Sequence, residues 1–269
     1  MPELPEMENY RRRLVEAVRN HVITDVEVNR EKSVGVPVAE FVRRVNGRTV
    51  VDIVRRAKHL VFALDSGDAL LLHLMLGGSM HYGTAVQRPL DTCQVIMSFG
   101  EQHLYFVGLR LGYLHLLTAS ELRAALAKLG LEPFDPALTP QLFTSLLTRR
   151  STVLKVKLTD QHVIAGIGNR YSDEICFAAR VLPLRKTGSL SGEELAALYR
   201  AMHTVLEQAI AAGGYMASPF STTDTTTGGY NGRFFVYNRG GEACRVCGMP
   251  IVRTENAGRK VFYCEVCQH

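Results

Sequence analysis

Pro2 and Glu3, in the opening run Met1-Pro2-Glu3-Leu4-Pro5-Glu6, are the residues whose chemistry stands out first. Pro2 is small enough for Met1 to be removed, which would leave the proline nitrogen as a free secondary amine. A chain-terminal amine has a pKa of about 7.7–8.0, so an appreciable share is unprotonated at neutral pH. Such an amine attacks a sugar C1′ or a carbonyl and forms an iminium. Glu3 beside it could shuttle protons to and from an opening sugar. The same residues also make an ordinary helix start, with Pro5 in the first turn and Glu6 and Glu8 at its positive end.

Cysteine spacing supplies the second signal. Of six cysteines, Cys244, Cys247, Cys264 and Cys267 form C-x2-C, sixteen residues, C-x2-C. That pattern predicts a tetrahedral four-thiolate zinc site on two knuckles, a structural site with no open position for water. Disulfides are the competing account, disfavoured in a chain whose start is acidic and helical rather than a secretion signal. Cys93 and Cys176 lie in apolar surroundings and read as inert fillers. The chain is therefore expected to be cytoplasmic.

These groups need elements to hold them. Met7, Tyr10, Leu14 and Val18 predict an amphipathic helix over 5–20. From 22 to 117 short apolar runs (VITDVEV, TVVDIV, HLVFAL, ALLLHLM, QVIMSF, HLYFV, YLHLL) alternate with turn residues, which predicts a β-sandwich or barrel. Ser120 reads as the cap of a short helix ending at Gly130. LEPFDPALTP, residues 131–140, is the linker. Helices are expected over 140–148, 152–160 and 169–179. A long one over 192–212 opens on the capping box Ser191…Glu194. The Thr- and Gly-rich stretch 215–232 has no periodicity and forms a long loop, a kind that is usually functional or disordered.

Several residues along this frame could meet an anion. Ala165-Gly166-Ile167-Gly168-Asn169 joins two helices, and its backbone amides with Asn169 as helix cap would suit a phosphate. Arg259, in the turn before Phe262-Tyr263-Cys264, could place its donor fork on phosphates or stand as a solvated arginine. Lys58 could reach a phosphate or the nucleophile, or guard a strand edge. His73 is polar within an apolar strand, which is more often a hydrogen-bonded core histidine. The net charge of +5 allows nucleic-acid binding without requiring it, and no apolar run approaches a membrane span.

Together, PELPE, RRAKHLVF, HLMLGG, AGIGNRYSDE and CRVCGMPI…GRKVFYCEVCQ, in that order, resemble the formamidopyrimidine-DNA glycosylase/endonuclease VIII family over nearly the whole chain. The resemblance implies an α+β protein of two domains. An N-terminal β-sandwich flanked by helices spans 1–130, the linker 131–140, and a helix–two-turn–helix domain with a lesion loop at 215–232 spans 141–235. A β-hairpin zinc finger closes the chain over 236–269. It further implies a bifunctional glycosylase/AP lyase, monomeric and free of organic cofactors, which binds damaged DNA in the cleft between domains and flips a base out of the stack. Pro2 would be the nucleophile, Glu3 the acid, and Lys58 a catalytic or phosphate-contacting lysine. His73, Lys155, Asn169 and Arg259 would hold phosphates around the flipped nucleotide, with Arg259 serving catalysis too. β- and δ-elimination would follow.

The chain departs from the family where a Met, an Arg and a Phe usually fill the void left by the flipped base. Those positions align with Leu76, Leu109 and Leu111, and Arg110 takes part if the register shifts by one. Leucines add apolar volume without reading the opposite base. A lesion- or abasic-site-binding protein with weak excision, or an enzyme of single-stranded or open DNA, is the alternative. A zinc-ribbon transcription or ribosomal module would leave Pro2, Glu3 and Lys58 without purpose.

Overall fold

The computed structural model describes residues 1–269. It divides into two units, one of residues 1–128 with 212–229 and one of residues 129–211 with 230–269.

The first unit begins with helix α1 (Leu4–Val18), whose Met7, Tyr10, Leu14 and Val18 are buried at helical spacing. Eight strands follow: β1 (Asp25–Val28), β2 (Val50–Arg56), β3 (His59–Leu64), β4 (Ala69–His73), β5 (Ser79–Thr84), β6 (Cys93–Phe99), β7 (Gln102–Val107) and β8 (Tyr113–Leu117). They form two four-stranded antiparallel sheets, ordered β1-β6-β7-β5 and β2-β3-β4-β8. Met7 and Tyr10 share one core with Phe62, Leu72 and Phe106 from the two sheets. This is the expected sandwich. Every residue of β4 is buried, because helix α3 (Ala119–Leu126) sends Leu122 and Leu126 against Leu71 on its other face.

Two local expectations change. Residues 38–45 form a helix, α2 (Val38–Val45), within the stretch that reads as strands; Phe41 and Val45, four apart, are its buried side. The cap of α3 is Thr118 rather than Ser120. The Glu121 N–H donates to the Thr118 hydroxyl at 3.4 Å, and the Glu121 carboxylate accepts the Thr118 N–H at 2.8 Å.

In the second unit, α4 (Pro140–Thr148), α5 (Leu154–Leu158), α6 (Asn169–Ala178) and α7 (Gly192–Ala211) precede the hairpin of β9 (Val252–Asn256) and β10 (Arg259–Tyr263). The capping box of α7 is present, Ser191 N–H to Glu194 at 2.7 Å and Glu194 N–H to Ser191 at 3.2 Å. α5 stops two residues short of its sequence signal. The Thr159 hydroxyl there donates to the Lys155 carbonyl at 2.9 Å, a local bond that competes with helix continuation. The Glu174 carboxylate on α6 accepts three successive N–H groups, from Phe235, Val236 and Tyr237 at 2.8–2.9 Å, and so fixes the strap that leads to the cysteines. No helix is long and apolar enough to cross a membrane.

Candidate active site and nucleic-acid contacts

Pro2 and Glu3 are buried immediately before α1, with Glu3 as its N-cap. The Glu3 N–H donates to the Glu6 carboxylate at 2.7 Å, which fixes the backbone beside the terminus. Lys58 lies buried in the turn between β2 and β3, and His73 ends β4. Sheet register sets His59 opposite His73 and His73 opposite Tyr113. The two imidazoles are 4.4 Å apart, and His59 Nε2 lies 3.1 Å from the Tyr113 hydroxyl.

His73 Nδ1 accepts the Met75 N–H at 3.1 Å, so the proton of its neutral ring sits on Nε2. Burial is the main force pushing His59 down to about 4 and His73 down to about 3. Nearby positive charge adds to it: Lys58 acts on both rings, and the terminal amine on His73. The amine, Lys58 and a neutral histidine pair thus share one neighbourhood.

The turn after β4 carries Leu76, 65% exposed, and the turn before β8 carries exposed Arg110 and Leu111, 63% exposed. These turns pack back to back. A Cβ on Gly112 would lie 2.5 Å from the His73 carbonyl oxygen and 2.7 Å from that of Leu74, so only glycine permits the approach. Leu109 corrects the expected void-filling set. Its side chain is 0% exposed and belongs to the sandwich core. Gln94 accepts its N–H at 2.7 Å, and Arg30 and Ser33 donate to its carbonyl at 3.3 and 3.4 Å. With residue 109 pinned inward, the outward positions are Arg110 and Leu111.

In the second unit Lys155 also departs from expectation. Its ammonium, 2% exposed, donates to Asp173 Oδ1 at 2.5 Å and to the carbonyls of Lys260 and Asn169 at 2.8 and 3.2 Å. Three protein acceptors meet its three donors, so it positions other groups instead of gripping phosphate. Asp173 Oδ2 accepts the Phe262 N–H at 3.2 Å; burial pushes this carboxyl up to about 7, against the pull of Lys155.

Asn169 is the first residue of α6, and Gly168 is the N-cap, so the asparagine does not cap the helix. Its side-chain oxygen is buried without a hydrogen-bond partner. The two ends of an amide exchange by a flip, so this group suits a ligand that accepts or donates. Arg259 opens β10 and donates to the Thr159 hydroxyl, itself bonded to Lys155. One ammonium therefore links the turn, α5 and the hairpin.

All four Sγ atoms of Cys244, Cys247, Cys264 and Cys267 lie within 4.8 Å of one another, with the closest pairs at 3.4 and 3.8 Å. Disulfide sulfurs stand about 2.05 Å apart. A zinc tetrahedron with Zn–S of about 2.3 Å has edges of about 3.8 Å, which this cluster fits.

Comparison with known proteins agrees with the geometry. Residues 1–113 match the formamidopyrimidine-DNA glycosylase N-terminal domain, 129–221 its H2TH domain, and 241–269 the zinc finger found in FPG and IleRS. Formamidopyrimidine-DNA glycosylases of Desulfitobacterium hafniense and Geobacillus kaustophilus are 34% and 35% identical, each over the full length of both chains. A Lactococcus lactis Fpg variant bound to Fapy-dG DNA superposes with TM-score 0.91 at 28% identity, covering 99% of each chain. Thermus thermophilus MutM (Fpg) gives 0.86 at 34% identity, over 99% of this chain and 98% of that one. The chain belongs to the formamidopyrimidine-DNA glycosylase family. It is a DNA repair glycosylase with one structural zinc, and AP lyase activity is part of that family's function. A binding protein without excision is not favoured.

Several residues that order this glycosylase's site escaped the sequence reading. Glu6, Asn9 and Arg13 are spaced three and four apart, a helical polar stripe that could have been noticed. His59 and Asp173 gave no signal without knowledge of their partners.

Lys155→Met should destabilise the protein by about 3–5 kcal/mol, because the buried Asp173 carboxyl and the carbonyls of Asn169 and Lys260 lose their shared donor. Urea unfolding measures this, and Lys155→Met with Asp173→Leu should recover most of the loss. Acid should destabilise too. The unfolded histidines bind protons below about pH 6.5 while the folded pair stays neutral, so stability falls as pH drops toward the folded values. The slope reaches about 1.4 kcal/mol per pH unit for each ring. His59→Phe should flatten it in thermal melts.

Proposed function

We propose that Pro2, once Met1 is removed, is the nucleophile of this glycosylase. The nitrogen lone pair attacks C1′ of the damaged nucleotide, and the C1′–N bond breaks as the base leaves with a proton. Glu3 donates a proton to O4′ as the sugar opens, leaving a C1′ iminium. The iminium acidifies C2′–H. Loss of that proton expels the 3′ phosphate, a second elimination expels the 5′ phosphate, and water frees the proline.

What supports this reading is the neighbourhood of Lys58, His73 and the chain terminus, whose amine belongs to Met1 here and to Pro2 once Met1 is removed. A fixed positive charge beside an amine favours its unprotonated, nucleophilic form. Lys58 is then catalytic or phosphate-contacting, and His73 offers Nε2–H to a phosphate. Asn169 and Arg259 are the phosphate contacts of the second unit, with Arg259 braced by the finger. Lys155 supports them indirectly.

Leu76, Arg110 and Leu111 are the outward set that would enter the base stack in the flipped nucleotide's place. Leu76 and Leu111 are apolar wedges that unstack bases without reading them, and Arg110 brings donors that can hydrogen-bond the base left opposite. The lesion class is ring-opened or oxidised purine, supported by the length of the loop at 215–232 and by relatives crystallised with Fapy-dG and N7-benzyl-Fapy-dG DNA. The enzyme works as a monomer, without an organic cofactor, on the DNA of the bacterial cytoplasm.

Borohydride should trap a covalent adduct on abasic-site DNA, and Pro2→Gly should abolish it. Mass spectrometry showing Met1 retained in active protein would overturn the assignment. Arg259→Ala should weaken binding about equally on all sequences and lower the salt slope by about one. Excision of one lesion should depend on which of the four bases stands opposite, and Arg110→Leu should flatten that dependence; a parent that treats all four alike would refute Arg110 as the reading residue.

A further inference from the structure

We propose that the segment 213–229 is latched onto α1 before DNA binds, and that the Arg13–Asp224 pair is the latch that sets acceptance of base-bearing lesions. The proposal rests on the reading of this segment as the lesion loop.

The sequence of the segment suggests mobility, being mostly Ser, Thr and Gly. Its contacts oppose that. Phe220 is buried in the sandwich core, stacked 5.9 Å from Tyr82 and edge-on 6.0 Å from Tyr10, and its carbonyl accepts the Tyr82 N–H at 2.7 Å. Met216 joins the same core. The polar stripe of α1 then holds the segment at three points. Glu6 accepts the Tyr215 N–H at 2.8 Å, Asn9 donates to the Thr227 hydroxyl at 2.7 Å, and Arg13 donates to Asp224 at 2.8 Å. Gly214, at φ +68°, lies so close to Glu6 that a Cβ would stand 2.7 Å from its carboxylate.

Asp224 is the keystone. Its carboxylate is 1% exposed and accepts N–H groups of Phe220, Thr226 and Thr227 at 2.9–3.1 Å, as well as the Thr227 hydroxyl. Arg13 is the cation that balances it. Without that guanidinium the carboxylate keeps its local donors but loses its tie to α1, and the turn it organises loosens from the helix.

A loop that orders only on binding charges its lost conformational freedom to the ligand. Here that cost is met in folding. Glu6 also holds the Glu3 N–H, so the loop and the nucleophile's neighbour share one carboxylate. A base-bearing lesion meets both; an abasic site has no base to cover.

The test compares the full-length protein with Arg13→Ala and Arg13→Lys. Hydrogen exchange without DNA reads the loop. Steady-state kinetics on a duplex with a ring-opened purine, and cleavage of a preformed abasic site, read function. In Arg13→Ala we expect exchange across 216–229 to rise about tenfold, the ratio equivalent to 1.4 kcal/mol. KM for the lesion should rise several-fold with kcat nearly unchanged and abasic cleavage intact, and Arg13→Lys should restore most of the loss. Fast loop exchange in the parent, an unchanged loop in Arg13→Ala, or equal losses on both substrates would overturn the latch. A parent inert on both DNAs would instead defeat the functional reading, and exchange alone would still decide whether the latch exists.

Discussion

A carboxylate removed from water has to be answered by donors, and four such carboxylates organise this protein. Glu6, Asp173, Glu174 and Asp224 are all almost wholly buried. Each sits on or against a helix; Glu6, Glu174 and Asp224 collect N–H groups chiefly from irregular segments, and Asp173 takes one from strand β10. Leaving any of these acceptors unmet would cost more than the bond returns, so the irregular segments are drawn to them. Helices with a rigid hydrogen-bond ladder thereby lend their rigidity to loops.

Asp173 and Glu174 show how close such anchors can stand while doing different things. Adjacent on α6, they face opposite partners. Glu174 collects three consecutive amides, a backbone-only solution that needs no counter-charge. Asp173 has one amide and must be completed by the Lys155 ammonium. That cation then has donors to spare, and it spends them on the carbonyls of Asn169 and Lys260. A charge-balance requirement in the core is in this way converted into a fixed spacing between the turn and the metal-braced hairpin.

Much of this was legible in the sequence, and what was not shares a cause. Strand and helix periodicity, the α7 capping box and the cysteine spacing are local signals, and each led to the right element. Leu109 and Lys155 misled because residue type was read without direction. A leucine aligned with an inserting position turns inward once Gln94, Arg30 and Ser33 hold its backbone. A lysine in a phosphate-binding block turns inward once a buried Asp is present. The loop near residue 220 reads in the sequence only as a long loop, functional or disordered. Its composition is that of a mobile segment, yet one phenylalanine and one aspartate, with partners more than 130 residues away, determine its order.

The histidine pair carries the same logic into the first unit, with neutrality in place of charge pairing. Lys58 and the terminal amine already crowd one end of the β2-β3-β4-β8 sheet with positive charge. Burial disfavours a third and fourth cation there and keeps both rings unprotonated. Neutral rings still donate: fixing the His73 proton on Nε2 leaves a hydrogen bond for an anion without adding to the repulsion. The proposed site must attract phosphate while keeping an amine deprotonated, and these needs oppose each other. A neutral donor beside a single fixed lysine satisfies both, where a protonated histidine would serve only the first.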